Sequence, residues 1–284
     1  MDLLALALVI AAAFVHATWN LLAKRAGGGR LFIWSYSAVT AVLYLPLVAW
    51  LLYRHTMLWT PLVLAAILAS GVLHLGYSIC LQTGYRKADL SVVYPVARGT
   101  GPALSVTGAI MLLGDPATAA TLGGAGLIVA GVLVIGLAGA RARGPVWPGI
   151  RWGAYTGMII AAYTIADGYT VQVIGLSPIL LDYFGNLVRL AALTPIALAR
   201  REELALAWRK NARLILGVGA IIPVSYVLVL YAMTRAPVSV IAPARELSMM
   251  VGVFFGWLIL KEANVARRLV GAALITCGVG LLTF

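Results

Sequence analysis

Ser91-Val-Val-Tyr-Pro-Val-Ala-Arg98 and Ser239-Val-Ile-Ala-Pro-Ala-Arg245 decide how this chain is read. Each stretch places an arginine deep in a long apolar segment, with a proline just ahead of it. A cation in the middle of a membrane span costs roughly 2.5–3.5 kcal/mol on insertion scales. A chain that carries this cost twice, at matching places in its two halves, reads as a repeat whose charges face inward.

Around these stretches the apolar character continues from end to end. The chain is 62% hydrophobic and 11% charged, with a mean hydropathy of +0.99, where a soluble domain carries roughly 25% charge. Stretches of about 20 apolar residues, the length that crosses a bilayer, are expected near 3–23, 31–53, 62–84, 89–113, 117–138, 150–172, 178–199, 212–233, 238–260 and 265–283. They use most of the 284 residues and leave no room for a soluble domain. The expected fold is therefore an all-α integral membrane protein with ten transmembrane helices.

The net charge of +12 would suit nucleic acid, but its distribution argues for topology instead. Apart from Arg98, Arg189 and Arg245, the Lys and Arg residues lie in loops or at helix ends. The odd-numbered loops hold Lys24, Arg25, Arg30, Arg86, Lys87, Arg141, Arg143, Arg151, Arg200, Arg201, Arg209, Lys210, Arg213, Lys261, Arg267 and Arg268; the even-numbered loops hold only Arg54 and Arg235. Cytoplasmic loops carry the Lys/Arg excess, so both termini are expected outside, on the periplasmic face of a cell inner membrane. The partner this implies is the lipid bilayer, with no nucleic acid. Val15-His16-Ala17 imitates a signal-peptide cleavage site, but Met1-Asp2 supplies no positive flank and Lys24-Arg25 lie on the wrong side, so the first segment reads as a span. Cys80 and Cys277 fall inside predicted spans, where cysteine behaves as a small hydrophobe. No cofactor is expected and no metal.

Sliding the chain on itself by 147 residues pairs Arg98 with Arg245, Leu113 with Leu260, Leu122 with Leu269, Gly124 with Gly271, Ile128 with Ile275, Gly131 with Gly278 and Val132 with Val279. Asp115 and Glu262 coincide as acids ending the fourth span of each half. A shift of 148 continues upstream through Ala88/Ala236, Ser91/Ser239 and Pro95/Pro243. Each half then holds five spans, and an odd number inverts the second half relative to the first. Inverted repeats place a transport site near the membrane midplane, between the repeats. The expected division is 1–139 for the first five-helix repeat, 140–149 for a basic cytoplasmic linker and 150–284 for the second repeat.

With His16-Ala-Thr-Trp-Asn20 and Lys24 in the first span, the proline-bearing starts of spans four and nine, and the acid-capped hairpins at Asp115 and Glu262, the whole chain resembles the EamA-type transporters of the drug/metabolite transporter superfamily. The resemblance implies ten spans in two five-span repeats and export of amino acids or other small metabolites, with the superfamily's aromatic amino-acid exporters as the analogy. Some relatives keep their termini in the cytoplasm, and here the Lys/Arg distribution departs from them.

The candidate site residues lie on helical stripes. His16, Trp19, Asn20 and Lys24 follow i, i+3, i+4, i+8, one face of span one; such groups either line a pathway or bond between helices. Span three offers His74, Tyr77, Ser78 and Tyr85, of which Tyr77 is the deep one and Tyr85 suits the membrane interface. Span eight places Tyr226 three residues after Pro223, whose missing N–H frees the carbonyl of Gly219. Span six carries Tyr163 and Asp167 one turn apart, and Asp167 is the acid best suited to take up and release a proton during transport. On span seven Asp182, Asn186 and Arg189 share a face, with Asp182 near the outer end. Spans four and nine hold Tyr94, Arg98, Arg245 and Glu246, where one arginine can pair with Glu246 and the other can meet a carboxylate bidentately. Pro95 and Pro243 are expected to break the helix ladder beside them and act as hinges. Arg98→Ala and Arg245→Ala are each expected to impair transport more than insertion.

The glycines at 124, 131, 136, 271, 278 and 280 allow close helix packing within the bundle, or a homodimer seam, with a monomer equally compatible. A polytopic membrane enzyme is the remote alternative: no HExxH, P-loop or nucleophile-elbow motif is present. Within transport, amino acids or similar carboxylated metabolites lead, with phosphorylated or phosphonate metabolites and drug-like cations as alternatives.

Overall fold

The computed structural model describes residues 1–26, 29–54, 57–137, 146–251 and 265–283. His55, the Lys24 side chain, most of the expected linker, and Leu260 with the second acid-capped hairpin at Glu262 lie outside the described residues. Among these, all regular structure is helical. Lipid offers the backbone no hydrogen-bond partners, so a helix that closes all its bonds internally is the form such apolar segments take.

Among the described residues, eight helices are long and apolar enough to cross a membrane. They are α1 (Leu3–Ala26), α2 (Arg30–Arg54), α3 (Pro61–Lys87), α4 (Leu90–Gly108, continued by a π-turn Ala109–Leu113), α5 (Ala119–Leu137), α6 (Val146–Tyr169, continued by a π-turn Thr170–Ile174), α7 (Pro178–Ala199) and α8 (Arg201–Met233). Two further helices are α9 (Val238–Ala244), which is short, and α10 (Val265–Thr283), which has the same length as α5. Large apolar side chains such as Leu3, Val42, Met111 and Val173 are more than half exposed on the outer faces. That surface needs lipid around it, and the protein is an integral, multi-pass membrane protein.

Local chemistry sets the helix ends. Thr60 caps α3 by accepting from the Val63 amide at 3.2 Å, with Pro61 in the first turn. The π-turns after α4 and α6 are closed by Gly114 and Gly175, both at φ 75°, a left-handed conformation that glycine adopts without a Cβ penalty.

Two features differ from the sequence expectation. The basic stretch from Arg201, expected in a loop, is helical and joins α8 across a kink at Asn211 (φ −127°, ψ 17°). The Asn211 side chain donates to the Ala26 carbonyl at 3.5 Å, and Glu203 pairs with Arg200 in the first turn. The two equivalent prolines also behave differently. α4 runs without interruption through Pro95, whose ring lies where a Cβ on Gly136 would approach within 2.4 Å. α9 stops at Ala244, one residue after Pro243, and a tight turn at Arg245–Glu246 follows before helix resumes at Leu247. In that turn the amides of Glu246, Ser248 and Met249 bond three residues back, at 2.9, 3.2 and 2.8 Å.

α4 and α3 pack along α6, α1 along α8, α2 against α7 and α8, and α5 along α10. The α5–α10 seam is built from glycines. A Cβ on Gly131 would lie 2.5 Å from the Gly271 carbonyl, and one on Gly278 would lie 2.6 Å from the Gly124 carbonyl. Four of the glycines singled out in the sequence are thus used inside one chain. Gly131→Leu is expected to separate the two helices and lower stability by about 1–3 kcal/mol or more, the usual cost of overpacking. Gly280→Leu, where nothing lies within 4 Å, is expected to have no effect. Thermal unfolding of both variants in detergent checks the contrast; equal melting temperatures would contradict the seam.

Candidate functional site: a charged cavity at the centre of the bundle

The helices that pack against one another leave a cavity of about 130 Å³ between them, well above the roughly 10–15 Å³ that one water needs. Its wall takes His16 and Trp19 from α1, Tyr36 and Thr40 from α2, His74, Tyr77 and Ser78 from α3, Arg98 from α4, Tyr163 from α6, Asp182, Asn186 and Arg189 from α7, Ser225 and Tyr226 from α8, and Arg245 and Ser248 at and beyond the end of α9. Four tyrosines, two histidines and Trp19 bring rings to this wall, beside aliphatic groups such as Ile222 and Val229. His74 stacks on Tyr163 with centroids 4.1 Å apart, and Tyr77 meets Tyr163 edge-on at 5.8 Å.

Two buried charge clusters flank the cavity. In the first, Glu246 is fully buried between two guanidinium groups: Arg98 Nε lies 3.2 Å from Oε2 and Arg245 Nε 3.8 Å from Oε1. Arg98 also donates to Ser248 Oγ at 3.3 Å and lies over the Tyr94 ring at 5.7 Å. Arg245 reaches the Tyr163 hydroxyl at 3.5 Å and lies over that ring at 5.6 Å. Glu246 therefore serves both arginines, where the sequence reading gave it one partner and left the other free. The second cluster joins three helices. Asp167, fully buried on α6, accepts from the Tyr226 hydroxyl of α8 at 2.5 Å and sits 3.0 Å from His74 Nε2 of α3.

On α7, Arg189 donates to Asn186 Oδ1 at 3.1 Å, and Asn186 donates to the Ser37 carbonyl of α2 at 3.0 Å. His16 Nδ1 is 3.4 Å from Ser225 Oγ and meets Trp19 edge-on at 4.9 Å. The carbonyl freed by Pro223 does find a partner: Thr40 Oγ1 donates to Gly219 at 2.7 Å, which ties α2 to α8 at the cavity wall.

Of the residues singled out from sequence, His16, Trp19, Tyr77, Arg98, Tyr163, Asn186, Arg189, Tyr226 and Arg245 lie together on the wall. Glu246 and Asp167 stand directly behind it, bonded to wall residues. Tyr94 is half-buried against Arg98 rather than on the wall, and Asn20 is exposed, donating to the His16 carbonyl at 2.9 Å. The wall also takes residues the sequence reading left out of the site. Asp182 and His74 were visible on polar stripes, and α2 repeats the same signal with Tyr36 and Thr40 one turn apart.

The sequence profile of the EamA-like transporter family matches residues 147–284. The match covers just under half of the chain, and what it supports is a likeness of that half to EamA-like transporters. The matched half supplies Tyr163, Asn186, Arg189, Tyr226 and Arg245 to the cavity wall. No curated protein matches the chain. Among solved structures, 29 chains match. One crystal structure of a protein superposes with a TM-score of 0.74 over 98% of this chain and 97% of its own, at 18% identity. At that identity the likeness is one of fold alone.

Proposed function

We infer that this protein is a secondary transporter that exports amino acids, neutral or aromatic ones included, or similar small carboxylated metabolites, by alternating access through the central cavity. The observation that carries this reading is the charge balance of the site. Arg98, Arg189 and Arg245 stand on or beside the wall against Asp167, Asp182 and Glu246. With Asp182 on the wall, near the outer end of α7 in the sequence reading, the charges are equal in number. A site for phosphorylated anions needs a surplus of cations, and a site for organic cations needs a dominant acid. A balanced site walled by aromatic rings favours a zwitterion with an apolar portion. Guanidinium groups suit its carboxylate, and Asp167, bonded to His74 and Tyr226, is the group we assign to proton coupling.

The same reading includes ten spans in two inverted repeats, 1–139 and 150–284, in a cell inner membrane with both termini outside. Helix pairing supports the repeat: α1 against α8 has its counterpart in α6 against α3. The seam supports it too, because shifting the Gly124–Gly278 contact by 147 residues turns it into Gly271–Gly131. The Lys/Arg distribution supports the orientation, and the family likeness supports export. The reading is equally compatible with a homodimer and a monomer.

Counterflow uptake by purified protein in liposomes tests the reading against amino acids, phosphorylated metabolites and organic cations. Saturable uptake of amino acids alone is expected. Uptake of a phosphorylated anion or an organic cation, with no amino-acid signal, would overturn the substrate assignment.

A further inference from the structure

Among the described residues, all but two of the charged groups at the cavity have an ion-pair partner within the chain. Arg98 and Arg245 share Glu246, and Asp167 is bonded to Tyr226 and His74. The exceptions are Asp182 and Arg189, seven residues apart on one face of α7. That spacing corresponds to about 10 Å along the helix axis. Both side chains are on the cavity wall, and both also border a smaller recess of about 10 Å³ beside Ser70 and Gly185. Among the described residues Asp182 makes no hydrogen bond or ion pair, and Arg189 makes no ion pair. The buried Nε of Arg189 has no hydrogen-bond partner. Its one bond is to Asn186, which is itself fixed to the Ser37 carbonyl, so the guanidinium is oriented without being neutralised.

We propose that this face of α7 is the receptor for the two charged ends of the substrate, with Arg189 taking the carboxylate and Asp182 the ammonium group. The proposal rests on the amino-acid reading above and refines it. It moves the carboxylate contact from the Arg98–Glu246–Arg245 cluster to α7 and makes zwitterions the ligand class. A lone carboxylate would leave Asp182 uncompensated in a low-dielectric site, and a lone amine would do the same to Arg189. Asn186 is a positioning residue that holds the guanidinium toward the cavity.

Titration calorimetry on purified full-length protein in detergent, with three related probes, tests this: phenylalanine, 3-phenylpropionate, which lacks the amine, and phenethylamine, which lacks the carboxylate. Alanine, propionate and ethylamine form a second set for a smaller pocket. Wild-type protein is expected to bind an amino acid at least about tenfold more tightly than either analogue, the discrimination that one charge-assisted contact gives. Asp182→Asn should lose the preference over the des-amino acid and keep the preference over the amine. Arg189→Gln should do the reverse. If either variant fails to fold, the other decides alone, because each predicts loss of discrimination against a different analogue. Amino-acid binding with both preferences unchanged in the variants would overturn the α7 receptor and leave the amino-acid reading standing. Absence of amino-acid binding by wild-type protein would overturn both.

Discussion

Glu246→Ala is expected to leave little folded protein and no transport. The carboxylate is fully buried, and both Arg98 and Arg245 lie within 4 Å of it with side chains about 10% exposed. Removing it leaves two like charges facing each other in a low-dielectric interior. Breaking a buried ion pair by deleting one partner costs about 3–5 kcal/mol, and here two cations lose their counter-charge together. Arg98→Ala is milder, because Glu246 retains Arg245. Arg245→Ala is milder still for folding, because the 3.2 Å contact to Arg98 remains. Both arginine variants are therefore expected to insert and fold while transport falls. Combining Glu246→Ala with Arg98→Met removes the closest uncompensated cation and should restore folding without restoring transport. Thermal unfolding in detergent, paired with uptake by the same preparations, separates these outcomes. A Glu246→Ala protein with unchanged melting and full uptake would show that the carboxylate does not hold the cluster together.

Asp167→Asn is expected to abolish proton-driven transport while leaving exchange in place. The carboxylate ties α6 to α3 through His74 and to α8 through Tyr226, so a change in its protonation acts on three helices at once. Asparagine keeps the shape and a hydrogen-bonding capacity but cannot change charge. Accumulation driven by a pH gradient should therefore fall to the level of protein-free liposomes. Counterflow at equal pH should persist. Tyr226→Phe, which removes one bond and leaves the carboxyl, should retain gradient-driven accumulation. Equal loss of both transport modes in Asp167→Asn would make the residue structural instead of coupling.

Much of this architecture was legible in the sequence, because membrane spans announce themselves through length and hydropathy and the eight long helices fall where those signals lie. Nine of the candidate residues meet at one cavity, for a related reason. A polar group in a span faces inward or is bonded, so a helical stripe of such groups points to the interior. Three things were harder to read. The basic stretch from Arg201 looks like a loop, yet it is rich in helix formers and makes a helical segment that meets the apolar part of α8 across the kink at Asn211. Pro95 and Pro243 occupy equivalent positions, but only α9 ends beside its proline; Pro95 is accommodated by Gly136 on another helix, a contact that no local pattern reveals. Asp182 was placed by depth alone, near a helix end where solvation is the simplest expectation. Its role depends on which helices surround it, and that is a tertiary fact. The partition of charges among Glu246, Arg98 and Arg245 is another, since neighbouring residues on one segment cannot specify which cation from a distant segment arrives.

The central claim, that amino acids cross through this cavity, is tested most directly by counterflow of phenylalanine and alanine in liposomes, comparing wild-type protein with Thr40→Trp. Thr40 lies on the wall, and an indole there is expected to project into the space at the cost of the 2.7 Å bond to the Gly219 carbonyl. Saturable uptake by wild-type protein, lost in the filled variant while its thermal unfolding shows an intact fold, is the predicted result. Amino-acid uptake that continues undiminished with the cavity filled would contradict the account.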